Sequence, residues 1–115
     1  MIKGIGVDLV SVSRIERILL NTPALDVKIP NSQPSARTPQ ELARDIAVLE
    51  ALFKALPIDY KNRIRDFRVN KDAGGKPTVN YVGESKNLFN NMEIQVSISH
   101  EGDYVIAIVL IEVNE

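Results

Sequence analysis

Two carboxylates in this sequence occupy positions that are unusual for solvent-facing acids. Asp8 lies within an otherwise apolar stretch, and Glu50 lies about 40° from Ile46 on a helical projection, at the margin of an apolar stripe. If the fold brings the two carboxylates together, their oxygens could bind Mg²⁺. This ion usually keeps several water ligands and also coordinates substrate phosphates. Each also has an ordinary interpretation: Asp8 as a strand-end or capping residue, and Glu50 as a surface ion-pair partner of Lys54, four residues later.

A second group of polar residues follows an apolar strand pattern near the end of the chain. Ser97 and Ser99 share one strand face and His100 follows them, which favours either an anion-binding cluster or an ordinary turn. The sequence contains the residue types of a Ser-His-Asp catalytic triad, but it has no nucleophile-elbow pattern that would support one. Residues 74–77 lack the P-loop spacing and are best interpreted as a hairpin turn, although Lys76 could still contact a phosphate as a point charge.

The composition excludes several classes of site and protein. The 115 residues have the size of one domain, which we take to span residues 1–115. With no cysteine and one histidine, disulfide scaffolds, thiol nucleophiles and multi-histidine metal sites within one chain are excluded. The net charge of −1 provides no general attraction to nucleic acid. No apolar run approaches the roughly 20 residues of a membrane span, and no signal-peptide pattern is present, so we expect no membrane partner and a cytoplasmic location.

The elements that must position these groups follow from the hydrophobic pattern. Residues 2–10 alternate as a strand does, and Gly4 and Gly6 share the face of Asp8, where a helix or another group can approach closely. A helix should begin with a capping box formed by Ser13 and Glu16 and end by residues 21–23.

A long proline-containing loop over residues 21–38 should separate this first helix from a second one. Thr38, Pro39 and Glu41 predict the start of that second helix, as N-cap, first helical residue and capping-box partner. Pro57 ends it. Its apolar stripe is Leu42, Ile46, Leu49, Phe53 and Leu56.

The remainder of the chain reads as β-rich. Residues 66–70 and 76–82 predict two strands, residues 85–90 a short helix, and residues 93–99 and 104–113 a hairpin. The order of elements predicts an α+β domain in which helices pack against one face of a mostly antiparallel sheet.

Four motifs occur together in one order. They are Ile5-Gly6-Val7-Asp8-Leu9-Val10 with Arg14-Ile15-Glu16; Ala47-Val48, Glu50-Ala51 and Lys54-Ala55-Leu56; Gly75-Lys76-Pro77; and Val96-Ser97-Ile98-Ser99-His100-Glu101 with Tyr104 and Ala107. In this combination the sequence resembles bacterial holo-acyl-carrier-protein synthases, of the 4′-phosphopantetheinyl transferase family. The resemblance runs from residue 2 to about residue 111, apart from the loop over residues 20–38.

This resemblance implies the 4′-phosphopantetheinyl transferase fold and a Mg²⁺-dependent transferase of fatty acid biosynthesis. Such an enzyme moves the phosphopantetheine arm of coenzyme A onto a serine of acyl carrier protein and releases adenosine 3′,5′-bisphosphate. The family also implies a homotrimer with active sites between subunits. The physical demands of this reaction agree, because phosphoryl transfer needs positioning and charge neutralisation more than covalent chemistry by the protein.

Residue roles carry over from the same resemblance. Asp8 and Glu50 would hold Mg²⁺, and Lys54 would be the cation nearest the phosphate under attack; these three are the implied catalytic residues. The implied contacts to coenzyme A, besides Lys54, are Arg44, Lys76, Pro77, Ser99 and His100. Arg14 and Arg17, on the first helix, would form the basic surface that receives the acidic carrier protein.

Two features depart from the family pattern. Leu49 stands where the family has a lysine before the metal-binding glutamate, so one phosphate-facing charge is missing. The segment between the two metal ligands is also shorter than usual, and the loop over residues 21–38 lacks the family's second-helix pattern. Either the activity is reduced or another cation compensates, the candidates being Lys54, Arg44, Lys28 and Arg37. The alternatives are a non-catalytic homologue that only binds coenzyme A or the carrier protein, and an unrelated α+β interaction domain.

Overall fold

Antiparallel strands and helices build the chain, of which the computed structural model describes residues 1–30, 36–84 and 89–114. The strands are β1 (Ile2–Ser11), β2 (Phe67–Lys71), β3 (Pro77–Tyr81), β4 (Met92–Glu101) and β5 (Tyr104–Val113). The helices are α1 (Val12–Asn21), α2 (Leu25–Lys28) and α3 (Pro39–Ala55), with a 3₁₀ helix at Ile58–Asp66. These elements confirm the predicted α+β class.

The larger sheet has the order β1-β5-β4, and both outer strands run antiparallel to β5. In its register Asp8 lies opposite Ala107, which in turn lies opposite Ile98. Residues paired across strands point to the same face, so all three face α3, which covers this side of the sheet. The smaller sheet is the hairpin of β2 and β3. Its predicted turn is confirmed, since the Gly75 amide donates to the Asp72 carbonyl at 2.9 Å.

Helix α3 begins as the sequence predicts. The Thr38 amide donates to Glu41 Oε1 at 2.9 Å, and the Glu41 amide donates to Thr38 Oγ1 at 3.2 Å. Hydrogen bonding of the Glu41 carboxylate to the Thr38 amide, and secondarily to the Thr38 side chain, lowers the pKa of Glu41. The buried face is wider than the predicted stripe, and Phe53 was wrongly assigned to it, because its residue remains 44% exposed. The fully buried side of the helix consists of Leu42, Ala43, Ala47, Val48, Ala51 and Leu52.

The close approach predicted for the glycines of β1 is confirmed. A Cβ atom on Gly4 would lie 1.8 Å from the Ala55 carbonyl oxygen, and one on Gly6 would lie 1.9 Å from that of Ala51. The backbone of α3 therefore rests directly on β1. The opposite face of this strand is left uncovered within the chain, with Ile5 65% exposed and Leu9 60% exposed.

The start of α1 differs from the prediction. Ser11, not Ser13, is the N-cap, and its Oγ accepts from the Arg14 amide at 3.2 Å. Asp103, in the turn between β4 and β5, accepts at 2.9 Å from the Ser13 amide and at 2.7 Å from the Ser13 hydroxyl. The Ser13–Glu16 capping box was wrong because a distant carboxylate takes both Ser13 donors. The Ser11 hydroxyl also donates to Asp103, at 2.6 Å, and this hydrogen bond and the two from Ser13 lower the pKa of Asp103.

The region between α1 and α3 contains more structure than the predicted loop. Residues 25–28 form α2, and the long 3₁₀ helix after α3 was not predicted either. The short helix expected at residues 85–90 falls largely on residues 85–88, which lie outside the described residues. In the described part of the chain, no helix is long and apolar enough to cross a membrane.

Candidate active site

Asp8 and Lys54, separated by 46 residues in sequence, meet where α3 crosses β1. Lys54 Nζ lies 3.2 Å from Asp8 Oδ1 and donates to the Val7 carbonyl at 2.8 Å. Glu50, one turn earlier in α3, lies near enough to Asp8 for their charges to interact. Its pKa is raised, first by partial removal from water and second by the negative charge of Asp8. The structure thus brings together the two predicted carboxylates and the predicted cation.

The two carboxylates form a donor set suited to a hydrated hard cation. Asp8 Oδ2 is buried and has no hydrogen-bond partner among the described residues, although its other oxygen contacts Lys54. A buried unpaired carboxylate oxygen is costly, and a bound cation would satisfy it. The described residues contain no cluster of three or more His, Cys, Asp or Glu side chains that could hold a metal. Such a site suits Mg²⁺, since that ion completes its shell with water and phosphate oxygens.

A cavity of about 400 Å³ opens beside this group. Its charged lining residues are Lys28, Glu50, Lys54 and Arg65. Its apolar lining consists of Ile29, Pro30, Ile46, Leu49, Phe53 and Ile64. Leu49 therefore contributes a hydrophobic wall at the position where a lysine would add charge. The cavity lining thus combines cationic and apolar side chains, which fits a substrate that carries both a phosphate and an uncharged arm.

Arg44 and His100 lie elsewhere, in a second cavity of about 280 Å³ with Lys71 and Glu41. His100 faces the same side of the sheet as Asp8 but lies two strands away, roughly 10 Å at ordinary strand spacing. Lys71, at the end of β2, adds a cation that sequence reasoning missed, because nothing in its local pattern distinguishes it from an ordinary strand-end lysine.

The remaining predicted coenzyme A contacts are spread over other surfaces. Ser99 is exposed and alternates with His100 along β4, so it faces the uncovered side of the sheet. Lys76 lines a shallow recess with Ser97, and Pro77 pairs with Lys71 in the β2–β3 ladder. Within one chain, these residues do not join the group around Asp8.

Arg14 and Arg17 of α1 are both exposed, and the positive charge of each influences the pKa of a different carboxyl group. The charge of Arg14 opposes the rise in the pKa of Glu50, so Arg14 lies toward the Asp8 group. The charge of Arg17 contributes to the lowered pKa of Asp103, at the neighbouring turn. Helix α1 therefore presents two exposed positive charges, one acting on the Asp8 group and one on the neighbouring turn.

Arg37 has a different position from the one considered in the sequence. Its side chain is only 1% exposed and pairs with Asp26 at 2.7 Å and with Asp45 at 2.9 Å. A substrate phosphate cannot reach it, so Arg37 does not replace the missing lysine by direct contact. Arg44 also pairs with Asp45, at 3.0 Å. Neither aspartate was singled out from the sequence, because Asp26 lies in the predicted loop and Asp45 looks like an ordinary helix-surface acid there.

Similarity to known proteins extends over the whole chain, although no family model matches the sequence. The holo-[acyl-carrier-protein] synthase of Thermodesulfovibrio yellowstonii is 35% identical over 118 residues, covering 96% of this chain and 99% of that protein. The synthase of Clostridium novyi is 32% identical over 124 residues, covering 99% and 90%.

Solved structures similar to this chain are also holo-[acyl-carrier-protein] synthases. The holo-[acyl-carrier-protein] synthase of Neisseria meningitidis superposes with a TM-score of 0.78 at 28% identity, covering 97% of this chain and 99% of that one. The synthase of Bacillus anthracis, described as a complex with CoA (3′,5′-ADP), has a TM-score of 0.73 at 26% identity, with 99% of both chains covered.

Proposed function

This chain belongs to the holo-[acyl-carrier-protein] synthase family of enzymes, and we propose that it transfers the 4′-phosphopantetheine group of coenzyme A to a serine of acyl carrier protein. The acceptor is named in its relatives, and a similar synthase is described with bound CoA. The observation that carries the proposal is the meeting of Asp8, Glu50 and Lys54 beside a cavity of about 400 Å³ whose lining includes Lys28 and Arg65. We place the reaction in fatty acid biosynthesis and in the cytoplasm.

The residues of the site suit the chemical step. The serine oxygen bonds to the phosphorus that carries pantetheine, and the bond from that phosphorus to the bridging oxygen breaks. Adenosine 3′,5′-bisphosphate leaves with that oxygen, and the serine proton is released to water. Asp8 and Glu50 would hold Mg²⁺, which when bound supplies charge neutralisation at the pyrophosphate. Lys54 is anchored by the Val7 carbonyl and Asp8, so its ammonium is preorganised for a phosphate oxygen.

The cavity of Arg44 and His100 suits the nucleotide end of the same substrate. Arginine provides a fixed fork of donors for a phosphate, and Lys71 lines the same cavity. Ser99, Lys76 and Pro77 remain proposed contacts that one chain alone does not bring to this group. An active site shared between subunits is the arrangement that would give them a role.

A homotrimer accounts for the uncovered face of the larger sheet. Ile5, Val7 and Leu9 on β1 lie beside Ile108 on β5, and all four are at least 44% exposed. An apolar patch of this kind on a small chain marks an interaction surface. We assign it to the contact between identical chains and α1, with Arg14 and Arg17, to the acidic carrier protein.

The test is the mass of apo-acyl carrier protein after incubation with coenzyme A, with and without a chelator. We expect a phosphopantetheine mass gain that needs Mg²⁺ and that Asp8→Asn and Glu50→Gln each abolish. Asp59→Asn, an equal loss of charge on the 3₁₀ helix, is the matched control and should behave as the unmodified protein does. A gain that survives the chelator contradicts the metal assignment. Coenzyme A binding without any transfer would instead establish the non-catalytic alternative.

A further inference from the structure

A buried arginine joins the segment before residue 31 to helix α3. The Arg37 guanidinium donates to Asp26 Oδ1 at 2.7 Å and to Asp45 Oδ2 at 2.9 Å. It also donates to three backbone carbonyls, those of Asp26 at 2.6 Å, Ile29 at 2.7 Å and Pro30 at 2.9 Å. Five hydrogen bonds from one side chain that is 1% exposed form a rigid connection, which only the planar fork of arginine can make.

The segment that Arg37 holds is one wall of the candidate active-site cavity. Lys28, Ile29 and Pro30 line that cavity opposite Glu50 and Lys54 of α3. Helix α2 has four residues, which is too short to be stable without outside contacts. Because Asp45 belongs to α3, the Arg37 connection fixes this wall relative to the helix that carries Glu50 and Lys54.

The cavity needs a cation besides Lys54 if it receives a pyrophosphate. Lys54 is already shared with Asp8, and Leu49 adds no charge. Lys28 and Arg65 also line the cavity, and neither forms an ion pair within the described residues. Of these two, only Lys28 stands on the segment that Arg37 fixes.

We propose that Lys28 is a substrate-binding residue for the pyrophosphate of coenzyme A, and that Arg37 is the positioning residue that holds it there. The proposal rests on the proposed function and adds to it the cation that takes the place left by Leu49. Arg37 acts through Lys28, so the two residues form one unit, whereas Arg65 belongs to a different element that Arg37 does not contact.

The experiment measures coenzyme A affinity by calorimetry with the 115-residue chain in Mg²⁺. Lys28→Ala should weaken binding by about tenfold, the range expected for one charge-assisted phosphate contact. Dephospho-coenzyme A, which lacks the 3′-phosphate, should show the same loss, since Lys28 lies beside the Asp8 group and not in the Arg44–His100 cavity. Arg63→Ala, an equal loss of charge on the 3₁₀ helix but outside the cavity lining, is the matched control.

A double-mutant cycle tests the positioning role of Arg37. Arg37→Lys keeps the charge but loses the fork, and it should weaken binding about as much as Lys28→Ala does, with no further loss when both changes are combined. Arg65→Ala combined with Arg37→Lys should instead show additive losses. Asp26→Asn replaces Arg37→Lys if the latter does not fold, because it removes one partner and leaves the carbonyl contacts.

The outcomes separate this inference from the proposed function. If the unmodified protein binds neither coenzyme A nor dephospho-coenzyme A, both are wrong. If it binds them but Lys28→Ala binds them equally well, only this inference is wrong. Additive effects of Lys28→Ala and Arg37→Lys would overturn the positioning role. A loss confined to coenzyme A, absent with dephospho-coenzyme A, would move Lys28 to the 3′-phosphate and overturn the pyrophosphate assignment.

Discussion

Replacing Gly6 with alanine should damage the active site without touching a chemical group. The new Cβ would lie 1.9 Å from the Ala51 carbonyl oxygen, whereas ordinary contacts begin at 3.4 Å. The new Cβ and the Ala51 carbonyl oxygen must therefore move apart by about 1.5 Å. The clashing atom belongs to a helix backbone and cannot rotate away, so α3 itself must move from β1. Glu50 directly precedes Ala51 and would move relative to Asp8.

The size of the effect follows from that displacement. Overpacking of a closely packed interior costs about 1–3 kcal/mol, and a backbone clash belongs at the upper end of this range. For a domain of this length, about 3 kcal/mol lowers Tm by on the order of 10–15 °C. A misplacement of about 1 Å between reacting groups can cost 10²-fold in rate. We therefore expect kcat for carrier-protein modification to fall by about 10²-fold or more, beyond what unfolding at the assay temperature explains.

Gly74→Ala is the matched control because its new Cβ would meet only Asp72 Oδ1, at an ordinary 3.5 Å. It reports the small gain in stability that alanine brings by restricting the unfolded chain. Melting curves and mass-shift kinetics should be recorded at one protein concentration, since association affects Tm. A Gly6→Ala protein whose Tm and kcat equal those of the control would refute the close packing of α3 on β1.

Three further predictions concern charge and assembly. In chelator at neutral pH, Glu50→Gln should raise Tm, because a carboxyl whose pKa is raised by partial removal from water and by the charge of Asp8 opposes folding when it is ionised. The gain in Tm should shrink as the pH falls through the pKa of Glu50. A lowered Tm at neutral pH would contradict this prediction. The double variant Arg14→Glu, Arg17→Glu should raise the KM for carrier protein but leave the affinity for coenzyme A unchanged. The increase in KM should become smaller as salt is added, because exposed charges are screened over about 8 Å. An unchanged KM at low salt would show that α1 does not dock the carrier protein. Val7→Asp, on the uncovered sheet face, should convert a trimer to monomers in light scattering, whereas a monomeric unmodified protein at micromolar concentration would disprove the assembly.

Local signals in the sequence were enough for much of the fold. The capping box at Thr38 and Glu41 and the turn at residues 72–75 were predicted and confirmed, because each depends on atoms within a few residues of one another. Alternation in β1 identified a strand, and its glycines identified the face that a neighbour would approach. The family was recognisable because short motifs of the right types recur in the right order, which requires no coordinates.

Contacts between distant segments could not be predicted in the same way. Ser13 has a good local capping pattern, yet Asp103, 90 residues later, takes its donors. Arg37 reads as a loop cation, but the folded chain buries it between the α2 segment and α3, among the carboxylates of Asp26 and Asp45 and several backbone carbonyls. The pairing of Asp8 with Lys54 likewise depends on where α3 crosses β1, a crossing that two glycines permit and the burial of a whole helix face drives. Sequence pattern therefore determined the elements and the kinds of residue available for chemistry. Only tertiary packing decided which of those residues meet, because the energy that brings them together is spread over contacts far apart in the chain.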